Sequence, residues 1–156
     1  MLFMRVNRSN PEKVFIVVKN SYSTASLTNG QAVAWDHQTD ADGVGVTKPF
    51  AYTTSLGADI AGVAAETIAA GAYGLVQVWG YHSAVRVRTM STTGNGGVVW
   101  RAVAAGVPLS APLTAAFCLE GISGASTSII RFPVGFALAA NAEYTTAAIA
   151  AFLKCL

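Results

Sequence analysis

Residues 56–88 read LGADIAGVAAETIAAGAYGLVQVWGYHSAVRVR, and the period of this stretch decides the fold. It opens on small residues, tightens at Gly71-Ala72-Tyr73-Gly74, and then alternates. Leu75, Gln77, Trp79 and Tyr81 fall on one side, and Val76, Val78, Gly80 and His82 on the other, which is the period of two that a strand imposes. A second alternating run over 84–90 sets Val85 and Val87 against Arg86 and Arg88. Gly80-Tyr81-His82-Ser83 separates the runs and suits either a hairpin corner or a bulge. No cluster of catalytic type falls inside the stretch, so it reads as a packing element.

Outward from it, short strand-like segments recur every ten residues or so, with Gly and Pro between them. VFIVVK at 14–19 is β-branched and aromatic, a short buried strand. After the Asn29-Gly30 turn, 31–36 places Val33 and Trp35 on one face, and Val44-Gly45-Val46 follows a polar turn region at 36–43. Residues 58–71 mix helix formers with Gly62, Val63, Thr67 and Ile68, which oppose a helix, so an extended piece leading into the Gly71 turn is expected. Beyond the centre, 91–97 (STTGNGG) reads as a loop tip, 98–103 as a strand, and 104–114, with two prolines, as chain running over a sheet edge. A strand at 115–119 and a bent one at 129–138 complete the body. The tail is a fork: Ile149, Phe152, Leu153 and Leu156 fit a helix, while Ile149, Ala151, Leu153 and Cys155 fit a strand. Together these predict a mainly β, single-domain antiparallel barrel or sandwich with irregular loops and at most one short helix. It spans 1–156, with 1–13 as a basic N-terminal arm.

The composition constrains the surface. Charged residues are only 12% of the 156, hydrophobic residues 53%, and mean hydropathy is +0.46. An ordinary globular domain carries about 25% charged residues, and that charge keeps its surface solvated. So little charge implies that much of the surface is covered by protein, either copies of the same chain or a larger assembly. A membrane explanation is weaker, because Pro108 and Pro112 break the long uncharged run between Arg101 and Glu120. The opening MLFMRVNRSNPEK has too short an apolar run for a signal peptide, which suggests a chain that stays and assembles in the cytoplasm. Cys118 and Cys155 are then expected as free, buried thiols.

A search for chemistry returns little. Asp36, Asp40, Asp42 and His37 crowd one turn, but a calcium loop would need a glutamate where Ala51 or Thr47 stands, and short acids bonding their own backbone explain the cluster. His82 and Ser83 are neighbours on a strand and face opposite sides, so they cannot work as base and nucleophile. Gly94-Asn95-Gly96-Gly97 lacks the lysine of a phosphate loop, and Gly121-Ile122-Ser123-Gly124 meets Ala125 where a nucleophile elbow needs glycine. Trp79, Tyr81, Arg86, Arg88, Trp100 and Arg101 interleave aromatic with basic residues, yet the net charge of +2 gives no support for nucleic acid. The expectation is a protein that is not an enzyme, with no cofactor, metal, nucleic acid, membrane or small-molecule substrate.

The run AGVAAETIAAGAYGLVQVWGYHSAVRV, preceded by VAWD and Lys48-Pro49-Phe50 and followed by PVGFALAA and AAIAAFLKCL, resembles the small decoration, or cement, proteins of tailed-bacteriophage heads over roughly residues 30–156. That resemblance implies a β-rich body, often a homotrimer, bound to the outer surface of the virion. There it would clamp neighbouring subunits of the major capsid protein. It supplies no catalytic residues. For the contacts, the expectation is that the arm (Arg5, Arg8 and Lys13) reaches the shell and that Trp79 and Tyr81 pack within or between subunits. The alternatives are another phage structural protein, of tail-tube or head-completion type, or a small β-fold hydrolase or carbohydrate-binding module.

Overall fold

The computed structural model describes residues 12–40, 43–49, 59–94, 97–101, 103–110, 116–121, 133–142 and 145–155, with backbone alone at 90–94 and 97–101. All regular structure among them is β. The strands are β1 (Val14–Asn20), β2 (Ala32–Trp35), β3 (Gly45–Thr47), β4 (Ile60–Ala64), β5 (Tyr73–Arg88), β6 (Met90–Gly94), β7 (Gly97–Arg101), β8 (Pro108–Ser110), β9 (Leu119–Gly121), β10 (Gly135–Ala137) and β11 (Thr146–Lys154). β6 and β7 form a separate hairpin, and the other nine make one sheet in the order β1-β3-β2-β4-β5-β11-β10-β8-β9.

That sheet closes on itself twice. β1 also pairs with β5, and β9 also pairs with β5. The result is two rings of five strands that share β5: β5-β1-β3-β2-β4 and β5-β11-β10-β8-β9. Closure removes unpaired edges, which would otherwise template association. Pairing is antiparallel throughout except for β1–β3 and β5–β9, which are parallel.

Each ring encloses its own apolar core. The first holds Val18, Val33, Val46, Ala61, Val76 and Val78, with Leu27 and Ile68 bonded to each other across one end. The second holds Val85, Val87, Leu109, Leu119, Ile149 and Leu153, and takes in Ala32, Ile60 and Val63 from β2 and β4. Cys155 packs against both cores, and its amide donates to the Val78 carbonyl at 2.9 Å.

One strand can serve two cores because it is bulged. The valines that enter the first core are even-numbered and those that enter the second are odd-numbered, so the strand must gain a residue between them. Opposite β11 it does: Ile149 pairs Val85 and Ala151 pairs His82, so three steps of β5 face two of β11. Just before this, Gly80 sits at φ +95°, with the Glu12 carbonyl oxygen only 2.0 Å from where a Cβ would stand. The Ala84 amide released by the bulge donates to His82 Nδ1 at 3.1 Å.

The 80–83 segment is therefore a bulge within a single 16-residue strand, and no hairpin corner divides it. The tail resolves to strand β11, with Ile149, Ala151 and Leu153 buried as alternation requires. Residues 60–64 form a strand that runs into the Gly71 turn, as expected. Four expectations are corrected. The strand at 14–19 forms but is not buried: only its inward side reaches the core at Val18, while Val14, Phe15 and Val17 are exposed. Residues 91–94 are strand, because they pair with β7. Pro108 opens β8, which lies between β10 and β9 and not at an edge; as first residue of its strand it breaks no ladder in the interior. The strand expected at 115–119 begins only at Leu119.

Candidate interaction surface

The outward face of β5 carries Tyr73, Leu75, Gln77 and Trp79, and β1 lies against it with Lys19 opposite Tyr73, Val17 opposite Leu75 and Phe15 opposite Gln77. Four of these are apolar or aromatic and open to solvent: Val17 is 64% exposed, Tyr73 65%, Phe15 42% and Leu75 41%. Gln77 is the exception, at 1% exposure; its Nε2 donates to the Trp79 and Tyr81 carbonyls, so both of its buried donors are satisfied by the backbone of its own strand.

Past the bulge the same outward face continues onto the second ring. Tyr81 is opposite Phe152 on β11, and Phe152 is opposite Phe136 on β10. Trp79 meets Phe152 edge to face, with ring centroids 5.4 Å apart and an interplanar angle of 79°. This T-shaped geometry suits the aromatic quadrupole. Trp79, Tyr81 and Phe152 are half-buried, and Phe136 is exposed. Lys13, just before β1, brings its Nζ 6.0 Å above the Tyr81 ring, and Lys154 pairs in register with Trp79. The face is thus an aromatic row crossing three strands, rimmed by ammonium groups.

Of the residues singled out from sequence, Lys13, Trp79 and Tyr81 come together here, while Arg5 and Arg8 lie outside the described residues. Trp79 packs within the chain, on Phe152. Phe136 and Phe152 were not anticipated, because neither stands out within its Ala-rich segment, and only the β5–β11–β10 pairing aligns them with Trp79 and Tyr81.

Beneath the row, His82 is buried. Burial first, and then the nearby Lys13 charge, lower its pKa below the ordinary 6.5, against the opposing pull of a hydrogen bond with the Ala64 backbone. The thiols are unpaired, as expected; burial pushes Cys118 up to about 11 and Cys155 up to about 12, so neither is a poised nucleophile. The Asp36 carboxylate binds the Thr39 amide at 3.3 Å and the Thr39 hydroxyl, which is turn chemistry; Asp42 lies outside the described residues. His37 and Asp59 form an exposed pair at 3.5 Å.

No family model and no curated protein matches the chain. Among solved structures it is similar to the N base of the head fiber gp8.5 of bacteriophage phi29, with 11% sequence identity, 92% of this chain and 96% of that one covered, and a TM-score of 0.47. A likeness that distant carries no inference about function.

Proposed function

We propose that this chain is a structural virion protein that binds the outer surface of a bacteriophage head as a homotrimer and joins neighbouring major capsid subunits. The observation that carries the reading is the solvent-facing aromatic and aliphatic row along β5, β1, β11 and β10, on a body with only 12% charged residues. Monomers expose contiguous apolar patches chiefly where a partner docks. The row is made of the side chains that dominate interface energetics, large aromatics rimmed by cations. Because the side chains stand on closed rings and not on loops, they lose little freedom on docking. Repeated over a lattice, moderate contacts of this kind add through avidity. The sequence resemblance to head decoration proteins points the same way.

The test is light scattering on the purified chain, followed by co-sedimentation with heads of its own phage assembled without it. The reading requires an oligomer that pellets with heads. It also requires the Tyr81→Ser, Phe136→Ser double variant to lose about tenfold or more in affinity while it melts within a few degrees of the parent. A monomer that stays in the supernatant would refute it.

A further inference from the structure

We infer that the chain also binds a hydroxyl-rich saccharide, in a cavity at the far end of β1 and β5 from the Trp79–Tyr81 cluster. This inference draws nothing from the head-surface reading. The cavity has a volume of about 660 Å³ and lies where the end of β1, the 36–40 turn and the Gly71 turn meet. That volume is within the usual range for small-ligand sites. Its wall is set by Lys19, Ser21, Ser23, Thr39, Asp40 and Tyr73. Trp79 lies six steps along the strand from Tyr73, a distance of about 20 Å.

Three observations narrow the ligand. The first is Gly45, on β3: the Ser21 Oγ and the Asp40 Oδ2 both stand within 2.6 Å of where its Cβ would be, so the missing methyl lets a hydroxyl and a carboxylate converge. The second is that, among the described residues, neither the Asp40 carboxylate nor the Lys19 ammonium has an ion-pair or side-chain hydrogen-bond partner, although both residues are half-buried. The third is the Tyr73 ring, 65% exposed at the cavity mouth.

These groups select by exclusion. An anion meets the Asp40 charge, a simple cation meets Lys19, and a purely apolar ligand strips water from both without replacing it. A saccharide answers all three groups. Vicinal hydroxyls donate to the carboxylate in charge-assisted bonds, the ammonium and serine hydroxyls donate to ring and hydroxyl oxygens, and the C–H face of a pyranose lies on the tyrosine ring.

The experiment titrates the full chain with cellotetraose, chitotetraose, maltotetraose and mannotetraose by isothermal calorimetry and saturation-transfer NMR. At least one is expected to bind with a Kd of about 10 mM or tighter. Asp40→Asn should weaken that binding about tenfold and Tyr73→Ala about fivefold, whereas Phe136→Ser should leave it unchanged. Silence from all of them at about 10 mM would overturn the inference, as would binding that survives both Asp40→Asn and Tyr73→Ala. Head co-sedimentation of Asp40→Asn, which lies off the aromatic face, should match the parent, so the two readings can fail separately.

Discussion

Replacing Gly80 by alanine tests the bulge that lets β5 serve two rings. Two penalties should combine. At φ +95° an L-residue carries backbone strain of about 1–2 kcal/mol. In addition the new Cβ would stand 2.0 Å from the Glu12 carbonyl oxygen and 3.3 Å from the Lys13 Cα, which are backbone atoms that no rotamer change can move aside. β1 must therefore draw back at its start, next to the Val14–Trp79 pair. The loss of one or two ladder hydrogen bonds there, at about 1 kcal/mol each, brings the total to about 2–4 kcal/mol. Gly71 supplies the control: its φ is +75°, but nothing lies within 4 Å of its Cβ position, so Gly71→Ala should cost only the strain, about 1–2 kcal/mol. Urea unfolding separates the two. With a slope of about 2 kcal/mol/M, the midpoint should fall by about 1–2 M for Gly80→Ala and about 0.5–1 M for Gly71→Ala, with the slope itself unchanged. Equal shifts would show that close backbone contact at Gly80 contributes nothing, and the account of the bulge would fail.

Other outcomes follow from the same geometry. Trp79→Ala should destabilise by about 2–3 kcal/mol, below the cost of a fully buried tryptophan because the ring is half-buried, and a double-mutant cycle with Phe152→Ala should return about 0.5–1.5 kcal/mol of coupling; zero coupling would contradict the edge-to-face contact. His82 is held below its ordinary pKa, so the folded chain binds fewer protons than the unfolded one. Stability should be full above the unfolded value of 6.5 and decline as pH falls from there toward the folded pKa. Melting temperatures of His82→Gln should fall less steeply over that window, and parallel curves for the two proteins would refute this. With thiols at about 11 and 12, native protein at about pH 8 should react with a disulfide reagent far more slowly than protein in urea; rapid native labelling of both would mean the burial is wrong.

What could be read in the sequence was set by period. The alternation of Val76 and Val78, then of Val85 and Val87, is visible in the chain, and so is the change of parity between them, which requires a bulge or a corner. The tail's strand reading was also present, in Ile149, Ala151 and Leu153, but a helical spacing competed with it until β5 and β10 supplied partners on either side. Ring closure was not legible, since it rests on pairings such as Val14 with Trp79 and Val87 with Leu119, which are remote in sequence. Strands of three residues, such as Gly45–Thr47 and Pro108–Ser110, are too short to show any period. Gln77 alternates outward with Leu75 yet is buried, because its donors answer carbonyls at the bulge. The aromatic row was half legible: Trp79 and Tyr81 stand out by type, but their alignment with Phe136 and Phe152 exists only once the strands pair.

Trp79 is flanked by Val14 on one side and Lys154 on the other, so β5 is gripped by strands far before and far after it in the sequence. On a ribosome these grips are made at different times. The first ring can shut once the front half of β5 has emerged, whereas the second must wait for β11, the last of these strands to emerge. Through that interval the second core lacks Ile149, Ala151 and Leu153, so Val85 and Val87 are only partly covered beside a finished first ring. Contacts this remote in sequence slow folding and lengthen exposure to wrong partners. The double closure that leaves none of the nine described strands at the end of the sheet is thus also the reason its birth is hazardous.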